Sequence, residues 1–143
     1  MDPCLKDWLD ISIKALGLIA IVIAALGYLR QLKIKKGEWL QLLFEKFYEN
    51  NNYKDVRKWL DNGDIEKKIT LDNSISDEEE KFTDFLNFFE FIATLESERQ
   101  ISKTDVINLF DYYLQKIKLS SICMQWVKKY GFEKLDSLLN KIN

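Results

Sequence analysis

Residues 14–30 read KALGLIAIVIAALGYLR, and the segment after them continues QLKIKK. No charge interrupts Ala15 to Leu29. At ~1.5 Å rise per residue that run covers only ~22 Å, less than the ~30 Å hydrocarbon layer of a bilayer. The flanking aromatics extend it. Trp8 and Tyr28 stand 20 positions apart, ~30 Å along a helix, and both residue types favour the water–lipid interface. The predicted span is therefore Trp8 to Leu29. It contains Lys14, which either snorkels outward or faces water inside an assembly.

A secretory signal would have a basic n-region, but Asp2, Asp7 and Asp10 outweigh Lys6 and Lys14, and no small-residue cleavage site follows. The run is read as a single membrane anchor. Arg30, Lys33, Lys35 and Lys36 follow it at once, so the C-terminal side is expected to be cytoplasmic and the N-terminus outside. These cations act first as a topology signal; gripping anionic lipid is their second use.

The small residues of the span are sorted. At ~100° per residue, Gly17, Ala20, Ala24 and Gly27 fall within ~80° of one another. Ile19, Val22, Ile23, Leu26 and Leu29 fill the opposite side. Asp10 and Gln31 prolong the small-residue line at seven-residue steps. Such a face lets a second backbone approach closely. With one span per chain, the partner is another copy or another protein. A polar residue at either end of the line, with Lys14 beside it, fits a ring with a wet centre and also fits a dimer.

The chain divides into residues 1–36, the span with its flanks, and residues 37–143, a helical domain. There is one proline, five glycines and 47% hydrophobic residues among 143, which predicts an all-α fold with a packed core. Apolar spacing resumes in GEWLQLLFEKFYEN (Trp39, Leu40, Leu43, Phe44, Phe47). The tract Asn50–Asn52 breaks it. A short helix follows over Tyr53 to Leu60, ended by Asp61-Asn62-Gly63, and then a polar stretch with one turn of helix. Ser76-Asp-Glu-Glu79 and Ser102-Lys-Thr-Asp105 are capping boxes. They open helices running to about Ser97 and Leu119. Two further helices, Ser121 to Tyr130 and Phe132 to Ile142, are separated at Gly131. In the helix after Ser76, Phe82, Phe85, Leu86, Phe89 and Ile92 form a core stripe. Phe88, Phe91 and Leu95 form a second beside it, so this helix is central or shared with a neighbouring subunit.

The two cysteines, Cys4 and Cys123, have no disulfide or metal spacing, and there is no histidine. That excludes His-based nucleophile activation and His-ligated zinc. Gly63 and Gly131 stand alone, so no glycine-rich phosphate loop exists. No cofactor is expected, and the chain is read as acting by binding or assembly rather than catalysis. Residues 64–100 hold eleven acids and four bases, and residues 101–143 hold seven bases and four acids. Lys116, Lys118, Lys128 and Lys129, near Trp126 and Tyr130, are solvated surface lysines or an RNA or phosphate contact.

The N-terminal span, Trp39-Leu-Gln-Leu-Leu-Phe44, Phe85-Leu-Asn-Phe-Phe-Glu90 and Ile101-Ser-Lys-Thr-Asp-Val-Ile-Asn-Leu-Phe110 carry a resemblance. The chain resembles small membrane-anchored accessory proteins of bacterial antiphage defence, closest to the membrane accessory family of type VI-B CRISPR systems. The resemblance implies a divergent HEPN-like helical domain and a homo-oligomeric pore in the bacterial inner membrane that depolarises the infected cell. Its implied partners are the lipid bilayer, copies of the chain, and an RNA-guided effector protein or RNA. Active HEPN ribonucleases place His four to six residues after Arg. Arg57 and Arg99 are the only arginines of the helical domain and neither is followed by histidine, so the ribonuclease role does not carry over. A second similar group comprises membrane-bound receptors for cyclic oligonucleotide signals. The alternative function is a membrane-tethered, non-catalytic binding module for RNA, a nucleotide signal or an effector protein.

Overall fold

A computed structural model describes residues 3–71 and 76–142; for residues 3–7 and 9–11 it describes the helix but not the side chains. The predicted all-α fold is what forms. Seven helices and no strand occur among the described residues: α1 (Pro3–Glu49), α2 (Asn51–Asn62), α3 (Ile65–Lys68), α4 (Asp77–Ser97), α5 (Lys103–Leu119), α6 (Ser121–Lys129) and α7 (Glu133–Lys141). The chain forms two compact units, Met1–Leu42 and Leu43–Asn143. Among the described side chains of α1, Leu43 is the first to be buried, and it opens the second unit.

Local chemistry explains the helix ends in the second unit. Asn50 accepts hydrogen bonds from the Asn52 and Tyr53 amides at 2.9 and 3.3 Å and starts α2. The asparagine tract therefore breaks the chain at one residue only, and α2 is longer than the predicted Tyr53–Leu60. The capping boxes at Ser76 and Ser102 are both closed in the structure. Gly63 and Gly131 take φ of +71° and +75° after α2 and α6, a conformation that favours glycine. The amides that follow them, Asp64 and Phe132, bond back to the Trp59 and Val127 carbonyls at 2.9 and 3.0 Å.

α4 is central: it packs against α2, α5 and α7, and α6 closes on α5 and α7. The core stripe Phe82, Phe85, Leu86, Phe89 and Ile92 is fully buried. Of the second stripe, Phe88 and Leu95 are buried but Phe91 is 49% exposed, so the apolar surface of α4 is wider than its bundle covers. Phe47, in the last turn of α1, is the hub. Its ring lies 5.2–5.7 Å from Phe85, Phe88, Phe89, Phe110 and Tyr113. Aromatic pairs at such spacing add about 0.5–1.5 kcal/mol each beyond the area they bury.

Candidate functional site

The first unit holds the candidate site. α1 has 47 residues, ~70 Å at ~1.5 Å each, and it is long and apolar enough to cross a membrane. None of its most apolar stretch is buried. From Ile13 to Leu29 the large apolar side chains are 55–67% exposed, on every side of the helix. A surface helix of a water-soluble protein keeps a polar face, and exposed apolar surface of this extent marks contact with lipid or with a partner. The helix satisfies its own backbone hydrogen bonds, which is what a lipid environment demands.

The sorted small residues lie open within this unit. A Cβ built on Gly17 or Gly27 meets nothing within 4 Å, and Ala20 and Ala24 are exposed. Nothing among the described residues of this unit therefore requires small residues there. Lys14 and Gln31 are exposed near the two ends of the line; the side chain of Asp10 lies outside the described residues. Trp8 and Tyr28, the expected interface aromatics, are 74% and 62% exposed. Arg30, Lys33 and Lys35 are exposed and Lys36 half-buried. Leu26, Leu29, Arg30, Leu32 and Lys33 together line a surface hollow of about 450 Å³.

Lys116, Lys118, Lys128 and Lys129 each have different surroundings. The Lys118 ammonium donates to the carbonyl of Ile142, and the Lys129 ammonium to the carbonyl of Leu71 at 2.6 Å. Lys129 also lies 5.2 Å over the Tyr130 ring, and Lys116 lies 5.5 Å over Tyr112. Lys128 lines a separate cleft of about 220 Å³ with Val127, Gly131, Phe132, Glu133 and Asp136. Trp126 is buried under Tyr130, ring centres 4.5 Å apart, and offers no face for stacking a base.

Three groups in this unit make tertiary contacts that the sequence does not assign to them. Arg57 is buried and donates to the carbonyls of Phe47 and Tyr48. Glu79, 1% exposed, accepts from the Thr70 amide and hydroxyl at 3.0 and 2.8 Å and from the Ser76 amide at 3.0 Å. Burial opposes its charge, but the donors from Ser76 and Thr70, with Lys129 beyond, outweigh burial and hold the carboxyl below the usual carboxylate range. Glu90, on α4, accepts from the Lys134 and Leu135 amides at 3.0 and 2.7 Å and so caps α7. Only the capping box gave a sequence signal, and it identified one partner of Glu79 of two. The Cys123 thiol is buried, and burial pushes it up to about 11, far from a reactive thiolate.

No family model, curated protein or solved structure matches the chain. Fold and site together define an all-α protein with one long, apolar, uncovered N-terminal helix followed by a helical region.

Proposed function

We propose that the chain is a single-pass protein of the bacterial inner membrane that assembles with copies of itself into a pore and depolarises the cell during CRISPR-linked antiphage defence. One observation carries the membrane part of this reading: among the described residues of its unit, the apolar helix from Ile13 to Leu29 is exposed on every side. Burying that surface in lipid removes it from water at about 25 cal/mol per Å². The assembly part is supported by the small-residue face, where Gly17 and Gly27 have open space around them and admit a second helix. Lys14 and Gln31, with Asp10 on the same line, are the polar groups nearest a lumen. The C-terminal unit is then cytoplasmic, on the side of Arg30, Lys33, Lys35 and Lys36. The setting in defence comes from the family resemblance of the span and the helices after it.

The competing role is a tethered module that binds RNA, a nucleotide signal or an effector. It gains no support from the lysines of α5 and α6, since Lys118 and Lys129 are engaged with backbone carbonyls. The mass of the detergent-solubilised protein separates the two. The pore reading requires a closed oligomer and dye release from vesicles, both abolished when Gly17, Ala20 and Ala24 are together changed to leucine. Lone protomers, or release that survives the triple substitution, would overturn it.

A further inference from the structure

We propose that each protomer holds one anionic phospholipid on the back of α1, its phosphate between Arg30 and Lys33 and an acyl chain along Leu26 and Leu29. The proposal rests on the reading of α1 as a membrane span and adds a ligand to it. Leu26, Leu29, Arg30, Leu32 and Lys33 line one open surface hollow of about 450 Å³. The Leu26–Leu29 end and the Arg30–Lys33 end are about one helical turn apart, ~6 Å along the axis; Arg30 and Lys33 line the hollow mainly with their aliphatic stems, which leaves the charged heads at its rim. A phospholipid presents the same order over the same distance, hydrocarbon and then phosphate. Arg30 and Lys33, three residues apart, project from neighbouring points on the helix surface. The guanidinium supplies a planar fork that matches phosphate oxygens, and the ammonium a second positive charge.

Two further features favour a lipid with net negative charge. No acidic residue occurs between Leu26 and Gly37, so no carboxylate stands within one helical turn of Arg30 or Lys33 along the chain. Lys36 lies on the same side one turn beyond Lys33. The azimuth matters as well. At ~100° per residue the hollow is centred nearly opposite the line Gly17, Ala20, Ala24, Gly27. An assembly closed through the small residues therefore turns this hollow outward to lipid, whereas Lys35 and Gln31 lie on the assembly side. A free phosphate ion would leave Leu26 and Leu29 bare, so the occupant is the lipid.

The test uses the full-length chain reconstituted in equal parts phosphatidylcholine and phosphatidylglycerol. The protein is extracted in mild detergent, and the lipid it retains is counted by native mass spectrometry. Phosphatidylglycerol is expected to be retained in clear preference. Arg30→Gln and Lys33→Gln should each lower that preference about fivefold, and Lys35→Gln, on the assembly side, should lower it less than half as much. Equal retention of the two lipids, or an equal loss on Lys35→Gln, overturns the site. A chain that floats with vesicles yet shows no preference sinks the lipid site alone. One that stays in the aqueous fraction sinks the span and the site together.

Discussion

The guanidinium of Arg57 meets Phe47 in two ways: Nη1 donates to the Phe47 carbonyl, and the guanidinium carbon lies 5.0 Å over the Phe47 ring. Its other nitrogen, Nη2, donates to the Tyr48 carbonyl at 3.0 Å, and the Tyr48 ring lies 4.9 Å away. Both carbonyls belong to the last turn of α1, where the helix has no partners of its own to offer. A cation there also opposes the negative end of the helix dipole. Arg57 thus closes the helix that delivers Phe47, the hub ring, to the core.

Replacing Arg57 by leucine leaves two carbonyls unpaired, one of them buried, and should cost about 3 kcal/mol. Lysine should recover less than half of that, because one ammonium cannot reproduce the fork. Urea unfolding of the two variants in detergent, followed by tryptophan fluorescence, reads both values. Equal stability of wild type and the leucine variant would contradict the assigned role.

Glu79 makes stability depend on acid. Its carboxyl is held below the usual range in the folded chain. The contribution is therefore complete above the unfolded carboxylate value, near pH ~4.3, and is lost as pH falls from there through the lower folded value. Glu79→Gln should remove that part of the acid sensitivity and cost about 1–3 kcal/mol at neutral pH. A thermal melt series from neutral to acid pH tests the sign: the gap between wild type and variant must narrow toward acid.

Arg99 is the one described non-glycine residue with positive φ, at 58°. It sits after α4, where its amide bonds to the Glu96 carbonyl and the Gln100 amide to the Leu95 carbonyl, at 3.0 and 2.9 Å. This is the helix stop that glycine serves after α2 and α6. Arg99→Gly should raise stability by about 1 kcal/mol, since the arginine Cβ strains that conformation. A lower melting temperature for the glycine variant would show that the arginine side chain makes a compensating contact.

Glu90 caps a helix 44 residues away in sequence, through the Lys134 amide. Phe132, the N-cap residue of α7, offers no side-chain cap, so the carboxylate from α4 supplies it. Glu90→Ala should cost about 1–2 kcal/mol. It should also speed hydrogen exchange at the Lys134 and Leu135 amides more than in α5. Uniform exchange across the bundle would instead point to general loosening. The ion pair of Glu96 with Lys141, at 3.0 Å, shows that α4 and α7 run in the same direction.

The sequence by itself determined the helices and most of their ends. Those features arise within a few residues: the capping boxes at Ser76 and Ser102, the glycines at 63 and 131, and the uncharged run from Ala15 to Leu29. It also showed that α4 has more apolar surface than one face needs. Tertiary structure alone decided which part of that surface is covered, burying Phe88 and Leu95 and leaving Phe91 in the open. It also decided that Lys118 and Lys129 cap carbonyls, that Arg57 closes α1, and that Glu90 starts α7. The reason is physical. Caps and periodicity depend on neighbours along the chain, whereas these polar groups bond to backbone that only the packing of one helix on another brings within reach.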